Sequence, residues 1–570
     1  REVWHFPRHD KSRSPSISDF NPMFPKKTPL FRSITRRFCA KGAEFSPADA
    51  LCALPSPFVR LRHGSLVLAL ALCSATCFTA CNDFLDVSPD SELNVRIDSE
   101  AKIAELLTGA YPEASYIPFL EPRTDNVAER PNGQHTQLNE AMYFWEDYDQ
   151  DDLDTPLNYW NACYKGIAQA NKALELLARY PKTPRVKALY GEAFLLRAYL
   201  HFMLVNIWAA PYGNDPQSPG IPYVEQPEKH AIVDYRRGTV REVYDKIEAD
   251  LKRGISLVDD HYYAHPKFHF NKRAAYAFAT RFYLFKGDWD QVVAYADYVL
   301  GGDAKKNLRR WNRYADALEF DHPGLHRLYN ATDEPANLLL TTTESRLART
   351  APTEKFGATW NIVDAVFAKK GIEGGGDYEK MNFVGHYLFT SSPSPVKEGF
   401  YMAKFDEISS SESTGSKPRE LYVTNVLLTV DEVLLNRMEA YAMRKDYNRA
   451  IDDLVEYMQG KFGFMPAVER SVYTTTDRAN YNVISPTYGL TLKQLALVKT
   501  ILDFRRKEFF QEGLRWFDIR RFHLSVRRSS KSRYYFPLEK EDPRKLLQIP
   551  TQAIERGLRP NPRERNAPQR

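Results

Sequence analysis

A mainly α fold of tetratricopeptide-like helical pairs, with long irregular loop insertions and a few short strands, is the architecture this sequence predicts. Three observations support it. Apolar residues recur at helical spacing over several long segments, two short helix-turn-helix units are built on small residues, and strand-like patterning is confined to a brief run inside an insertion.

Residues 160–177 place Trp160, Tyr164, Ile167, Ala168, Leu174 and Leu177 near helical spacing. A second helix is expected over 186–208, after a stop at Pro181 and Pro184; it is apolar on most faces near its end and should be buried between other helices. Residues 239–258 give a third, with Val240, Val243, Ile247, Leu251 and Ile255 on one face. Residues 272–300 read as two helices joined at Lys286-Gly287-Asp288, with Ala275, Ala279, Ala294 and Ala296 allowing close packing. A similar pair spans 430–460, turning at Lys445-Asp446, with Ala440, Ala442 and Ala450 as its small residues. The unequal spacing of the two pairs argues for a helical scaffold with insertions rather than a regular array. Those insertions, 301–429 and 461–490, contain Gly374-Gly375-Gly376 and a serine-rich stretch, and residues 337–343, NLLLTTT, are the expected strand. Loops of that length in a compact chain usually carry function.

Near the N-terminus, residues 66–89 read LVLALALCSATCFTACNDFLDVSP. The apolar run over 66–72 follows Arg60 and Arg62, and Phe78-Thr79-Ala80-Cys81 puts a small residue before a cysteine, as a lipoprotein signal peptide requires. Residues 60–80 are therefore expected to be the signal and Cys81 the lipidated first residue of the mature chain. Ser, Thr and Cys interrupt the run well short of the roughly 20 apolar residues of a membrane span. Residues 1–59, rich in Pro, Ser and Arg without periodicity, read as disordered or as a mis-assigned upstream extension. The remainder, 81–570, is expected to be the functional domain.

Charge agrees with that division. Residues 1–80 carry 12 basic and 5 acidic residues of the chain's 78 and 73, so 66 basic and 68 acidic remain, a net charge of −2. That balance excludes a bulk electrostatic footprint for nucleic acid. Beyond Cys81 the chain holds one further cysteine, Cys163, so no disulfide framework is available and Cys163 reads as a small buried hydrophobe.

No HExxH, Walker A, GxSxG or CxxC pattern occurs, which leaves an enzyme reading without positive support. Asp147, Asp149 and Asp151 have the spacing that begins a calcium loop, but Asp152 stands where Gly is required and Asn158 where the closing Glu belongs. The stretch 146–154 is expected to be a solvated acidic loop, and neither a metal nor a cofactor is expected.

Three segments resemble one family. CNDFLDVSPDSE, with the following helix ending LLTGAYPEA, is similar to the N-terminus of the SusD/RagB family of Bacteroidetes outer-membrane nutrient-binding lipoproteins. LRAYLHFMLVNIWAAP, residues 196–211, resembles the helix and exit that follow that family's first helical pair. DFRRKEFFQEGLRWFDIRRF, residues 503–522, resembles its arginine-rich motif ending Glu-Gly-x-Arg-Trp-Phe-Asp. In that motif Glu508 and Glu512 fall at i,i+4 within reach of Arg505 and Arg515, Trp516 and Phe517 anchor the helix in the core, and Asp518 closes a structural charge network.

The resemblance implies a non-enzymatic, cell-surface lipoprotein, anchored in the outer membrane by acyl groups such as palmitate on Cys81. It implies binding of an oligosaccharide or polysaccharide nutrient and delivery to a SusC-like TonB-dependent transporter. RagB-like capture of peptides stands as the alternative, and a helical-repeat assembly adaptor as a third. A loop corresponding to a binding region in starch-binding relatives offers Asp125, Asn126 and Arg130 for hydroxyls and Trp145 for stacking. Trp311 and Trp360, in the first insertion, are further stacking candidates, whereas Trp160, Trp208 and Trp289 sit on helical faces as core residues.

Overall fold

Hydroxyl caps and first-turn prolines set where the helices begin. The computed structural model describes residues 97–228, 235–311, 325–368, 400–402, 404–409, 421–462, 474, 489–528 and 536–563. Cys81, its signal segment and Gly374-Gly375-Gly376 lie outside the described residues. Numbering only the longer helices, α1 is Glu100–Thr108, α2 Pro156–Leu177, α3 Pro184–Trp208 and α4 Val240–Leu257. Thr155 and Thr183 each accept a first-turn amide at the N-termini of α2 and α3, with a proline directly after the cap. Pro184 thus opens α3 rather than marking the stop expected from the sequence, because proline's missing N–H is one the first turn leaves unpaired anyway. Thr239 and Glu242 form a reciprocal capping box on α4.

By length and composition α3 could cross a membrane, yet 89% of its apolar window is buried inside the protein. It packs between α2 and α4 as the central helix of the first half.

The two predicted pairs are present. The first is α5, Lys272–Lys286, with α6, Trp289–Leu300; the second is α7, Val430–Met443, with α8, Tyr447–Phe462. Gly287 turns the first pair at φ 82°, its N–H donating to the carbonyls of Tyr283 and Leu284, and Asp288 caps α6. Helix α6 packs on α7, which joins the pairs, and α7 also packs on α9, Leu492–Glu508, which is followed by α10, Leu514–Arg521.

The short strands are β1 Ala128–Glu129, β2 Asn337–Glu344, β3 Phe356–Gly357, β4 Glu407–Ser409, β5 Leu421–Thr429, β6 Val526–Arg528 and β7 Phe536–Leu538. Antiparallel β2, β5 and β4 form one sheet in that order, with Thr341 opposite Asn425 and Glu344 opposite Tyr422. The predicted strand is thus real and extends to Glu344. Thr429 ends β5 and also caps α7 by accepting the Glu432 amide, so the sheet feeds directly into the second pair.

Candidate functional site

The arginine motif forms a buried charge network, with different pairings from those the spacing predicts. Helix α9 ends at Glu508, and the chain then turns through Gln511 at φ 64° and Gly513 at φ 73°, so Glu512 lies beyond the helix. The expected i,i+4 relation therefore has no helix to act along. Glu508 instead takes Lys461 at 2.8 Å and the Tyr457 hydroxyl, while Glu512 takes Lys404 and the Tyr329 hydroxyl, each at 2.5 Å. Arg505 donates to Asp518 at 3.1 Å and to Asn436, and Arg521 bridges Asp518 and Glu439. Trp516 is fully buried, as expected of an anchor, beneath the Arg123 guanidinium. The network is structural; every charge in it faces a protein partner.

Arg515 leads out of this network to the predicted ligand loop. It clamps Asp125 through two bonds of 2.9 Å, and Arg506 also donates to the Asp125 carbonyl. Burial alone pushes the Asp125 carboxyl up, but Arg506 and Arg515 outweigh it and hold it well below the usual carboxylate range. Asn126 is fully buried, donating to Glu121 at 3.0 Å and accepting from Arg506 at 2.7 Å. Arg130 lies under the β1–β3 pairing, where its guanidinium donates to the carbonyls of Ala351, Glu354, Ala358 and Phe400. These three side chains tie the loop to the body; Asn126 and Arg130 are buried, while Asp125 keeps 24% of its side chain exposed beside its two arginines.

The tryptophans divide. Trp145 is 1% exposed, donates its indole N–H to the Arg123 carbonyl at 2.9 Å, and carries Arg528 4.4 Å from its ring. Trp311 is 3% exposed, with Lys461 5.0 Å and Lys404 5.9 Å from its ring. Neither offers a free face: both rings are buried, Trp145 under Arg528 and Trp311 beside the network's Lys461 and Lys404. Trp360, at 56% exposure, is open, with its ring tilted on Phe400.

The acidic loop is likewise engaged. Asp147 pairs with Arg563, Asp149 accepts from the Thr551 amide, and Asp152 receives both outer nitrogens of Arg346. The carboxylates point to different partners rather than to one centre, and Asp147, Asp149, Asp151 and Asp152 stay exposed, as expected of a solvated acidic loop.

What sequence reading missed is a cavity of about 700 Å³ between the end of α1, the first turns of α2 and strand β2. The start of α2 at Pro156 sets Asn158, Ala162 and Lys165 on one stripe at i, i+4 and i+7. From β2, Thr342 and Glu344 face it together because strand side chains alternate, and Tyr422 of β5 joins them opposite Glu344. The Glu113–Lys165 ion pair, 2.6 Å long and exposed, stands at the lip. Asn158 Oδ1 is buried without a hydrogen-bond partner among the described residues. The available signal was the threonine run at the end of β2, where the outward register gains hydroxyls.

Residues 83–284 match a family model, SusD-like, described as starch-binding and associating with the outer membrane. Over those residues the chain is similar to that family. The structure is similar to a SusD superfamily protein from Bacteroides thetaiotaomicron, with TM-score 0.60 and 19% identity, covering 82% of this chain and 100% of that one. It is also similar to a SusD superfamily protein from Bacteroides vulgatus, with TM-score 0.59 and 18% identity over 81% and 97% of the two chains. A SusD-like carbohydrate binding protein from Bacteroides vulgatus gives TM-score 0.56 and 16% identity over 80% and 96%. No curated protein matches. Identities this low speak to the fold, which is that of a SusD-like protein throughout the helical body.

The cavity presents hydroxyl, amide and ring surfaces, with the Glu344 carboxylate on its wall and the Glu113–Lys165 ion pair at its edge. Its chemistry is that of multiple weak hydrogen bonds to a polyol or amide ligand. Cys163 is fully buried among the core residues of α2, and burial pushes its thiol up, away from nucleophilic character.

Proposed function

We propose that this protein is a cell-surface lipoprotein that captures an oligosaccharide or polysaccharide nutrient and passes it to a SusC-like TonB-dependent outer-membrane transporter. One observation carries the ligand class: the hydroxyl- and amide-lined cavity at Asn158, Thr342 and Tyr422, on a SusD-like frame. The family's description as starch-binding and associated with the outer membrane, and the carbohydrate-binding description of one structural relative, support the same reading. Trp360 adds an exposed stacking surface. The domain runs from Cys81 to residue 570 after removal of a signal at 60–80, and acylated Cys81 holds it to the membrane. It binds without transforming its ligand.

Affinity electrophoresis through gels containing starch or other polysaccharides is the test of ligand class. Retardation of the protein, weakened about tenfold in Asn158→Ala and Thr342→Ala, is the expected result, each tenfold being about 1.4 kcal/mol. Retention by a peptide mixture alone in native mass spectrometry would overturn the glycan assignment in favour of peptide capture. For the anchor, Cys81→Ala should release the protein from sedimented outer membranes, and co-purification from membranes should recover a plug-and-barrel transporter.

A further inference from the structure

A second cavity, of about 660 Å³, lies on another stripe of α2, lined by Trp160, Tyr164, Ile167 and Ala168. Its opposite side comes from Val224 and Tyr235 and from the C-terminal residues Ala553 and Leu558. The size is that of a site for one small molecule.

Its wall is built rigid. Residues 222–225 have no helix or strand of their own, yet side chains from α2, α3 and α4 hold them throughout. Tyr164 donates its hydroxyl to the Pro222 carbonyl at 2.9 Å, and Asn171 donates to the Val224 carbonyl at 3.0 Å. The Val224 amide donates to His201 Nε2 at 3.1 Å, and Arg197 donates to the Glu225 carbonyl at 2.9 Å. The Tyr223 hydroxyl donates to Asp250, and its ring stacks on His201 at 3.8 Å. A connecting segment fixed by five side chains is preorganised, so a ligand need not order it on binding.

The lining selects the ligand. Inside, the polar atoms are already committed: the Tyr164 hydroxyl to Pro222 and the Tyr235 hydroxyl to Glu228. The interior therefore offers ring and aliphatic faces but few free donors, which suits an aromatic ring better than a sugar whose edges all need partners. At the rim, Glu228 and Glu555 outnumber Arg556, and the amides of Gln226 and Gln552 are exposed. An acidic excess disfavours an anion, and amides accept or donate to hydroxyls.

We propose that this cavity is a second binding site, for a small uncharged aromatic compound bearing a hydroxyl group. It is separate from the glycan cavity and does not depend on it. The two occupy different stripes of α2, with Asn161 at their boundary accepting from Gln552 Nε2 at 2.7 Å.

The test is calorimetric titration of the whole protein with methyl 4-hydroxybenzoate, with 4-hydroxybenzoate and with methyl glucoside. The ester should bind saturably at one site. Ala168→Trp fills the cavity from an exposed helical position, and Tyr235→Ala removes a wall; each should weaken the ester about tenfold or more. The free acid should bind more weakly than the ester. Polysaccharide retardation by the same two variants should stay at the wild-type level, which separates this site from the glycan cavity. Absence of saturable ester binding, ester binding unchanged in both variants, or methyl glucoside binding that both variants abolish would overturn the proposal.

Discussion

Trp145 spends its indole N–H on the Arg123 carbonyl and lies beneath two guanidinium groups, Arg528 at 4.4 Å and Arg544 at 5.7 Å from the ring. Truncating it leaves a void and an unpaired acceptor in the interior. Trp145→Ala should therefore cost about 3–5 kcal/mol in urea unfolding. Trp360 is more than half exposed and rests on Phe400 alone among described aromatic contacts, so Trp360→Ala should move stability by less than about 0.5 kcal/mol. If Trp360 stacks on glycan, the same substitution should weaken polysaccharide retardation several-fold, and unchanged retardation would remove it from the site. The residue type is identical at both positions. Exposure depends on what other segments bring to the ring, and for Trp145 the covering residues Arg528 and Arg544 lie some 400 positions further along the chain.

The two helical pairs make their turns differently. Gly287 takes the left-handed conformation at φ 82° with only Trp289 in ordinary contact range of an added Cβ, whereas in the second pair the non-glycine Lys445 adopts φ 65°. Gly287→Ala should lower stability by about 1 kcal/mol through backbone strain, and Lys445→Gly should raise it by about 0.5 kcal/mol as strain is relieved, both measured from urea midpoints. A destabilising Lys445→Gly would show that the lysine's own contacts outweigh its strain. The pairs were legible in the sequence because closely spaced alanines and a short polar turn are local signals. The strand at β2 was legible for the same reason. Partner choice in the arginine motif was not, since Lys461 and Lys404 meet Glu508 and Glu512 across separations of 47 and 108 residues. The cavity at Asn158 is hidden for a like reason: α1, α2 and β2 each supply part of it, and none of the three alone shows a site.

Over the whole molecule, buried titratable groups set opposing pH dependences. Burial pushes Glu121 and Glu354 up to about 7 and Asp453 up to about 6, while burial lowers His201 to about 3. Each raised carboxyl is protonated in the folded chain and ionised in the unfolded one between its ordinary value and its folded value, so stability falls as pH rises through that window. His201 acts the other way: it is neutral when folded, with Nε2 accepting from Val224, and its contribution is present above about pH 6.5 and lost as pH falls toward 3. Asp125 and Asp518, held low by arginines after burial is outweighed, also lose their contribution on the acid side. Between about pH 4.5 and 6, Glu121, Glu354 and Asp453 take up three protons on folding against one lost by His201, a net uptake of about two from these four groups. The urea midpoint should therefore be highest at mildly acidic pH and fall toward neutrality. Glu121→Gln keeps the side chain's shape but cannot titrate, so it should reduce the net uptake to about one proton and roughly halve the slope of unfolding free energy against pH in that range. A slope unchanged by the substitution would show that Glu121 is ionised in the folded protein, stabilised by the Gln511 and Gly513 amides that donate to it.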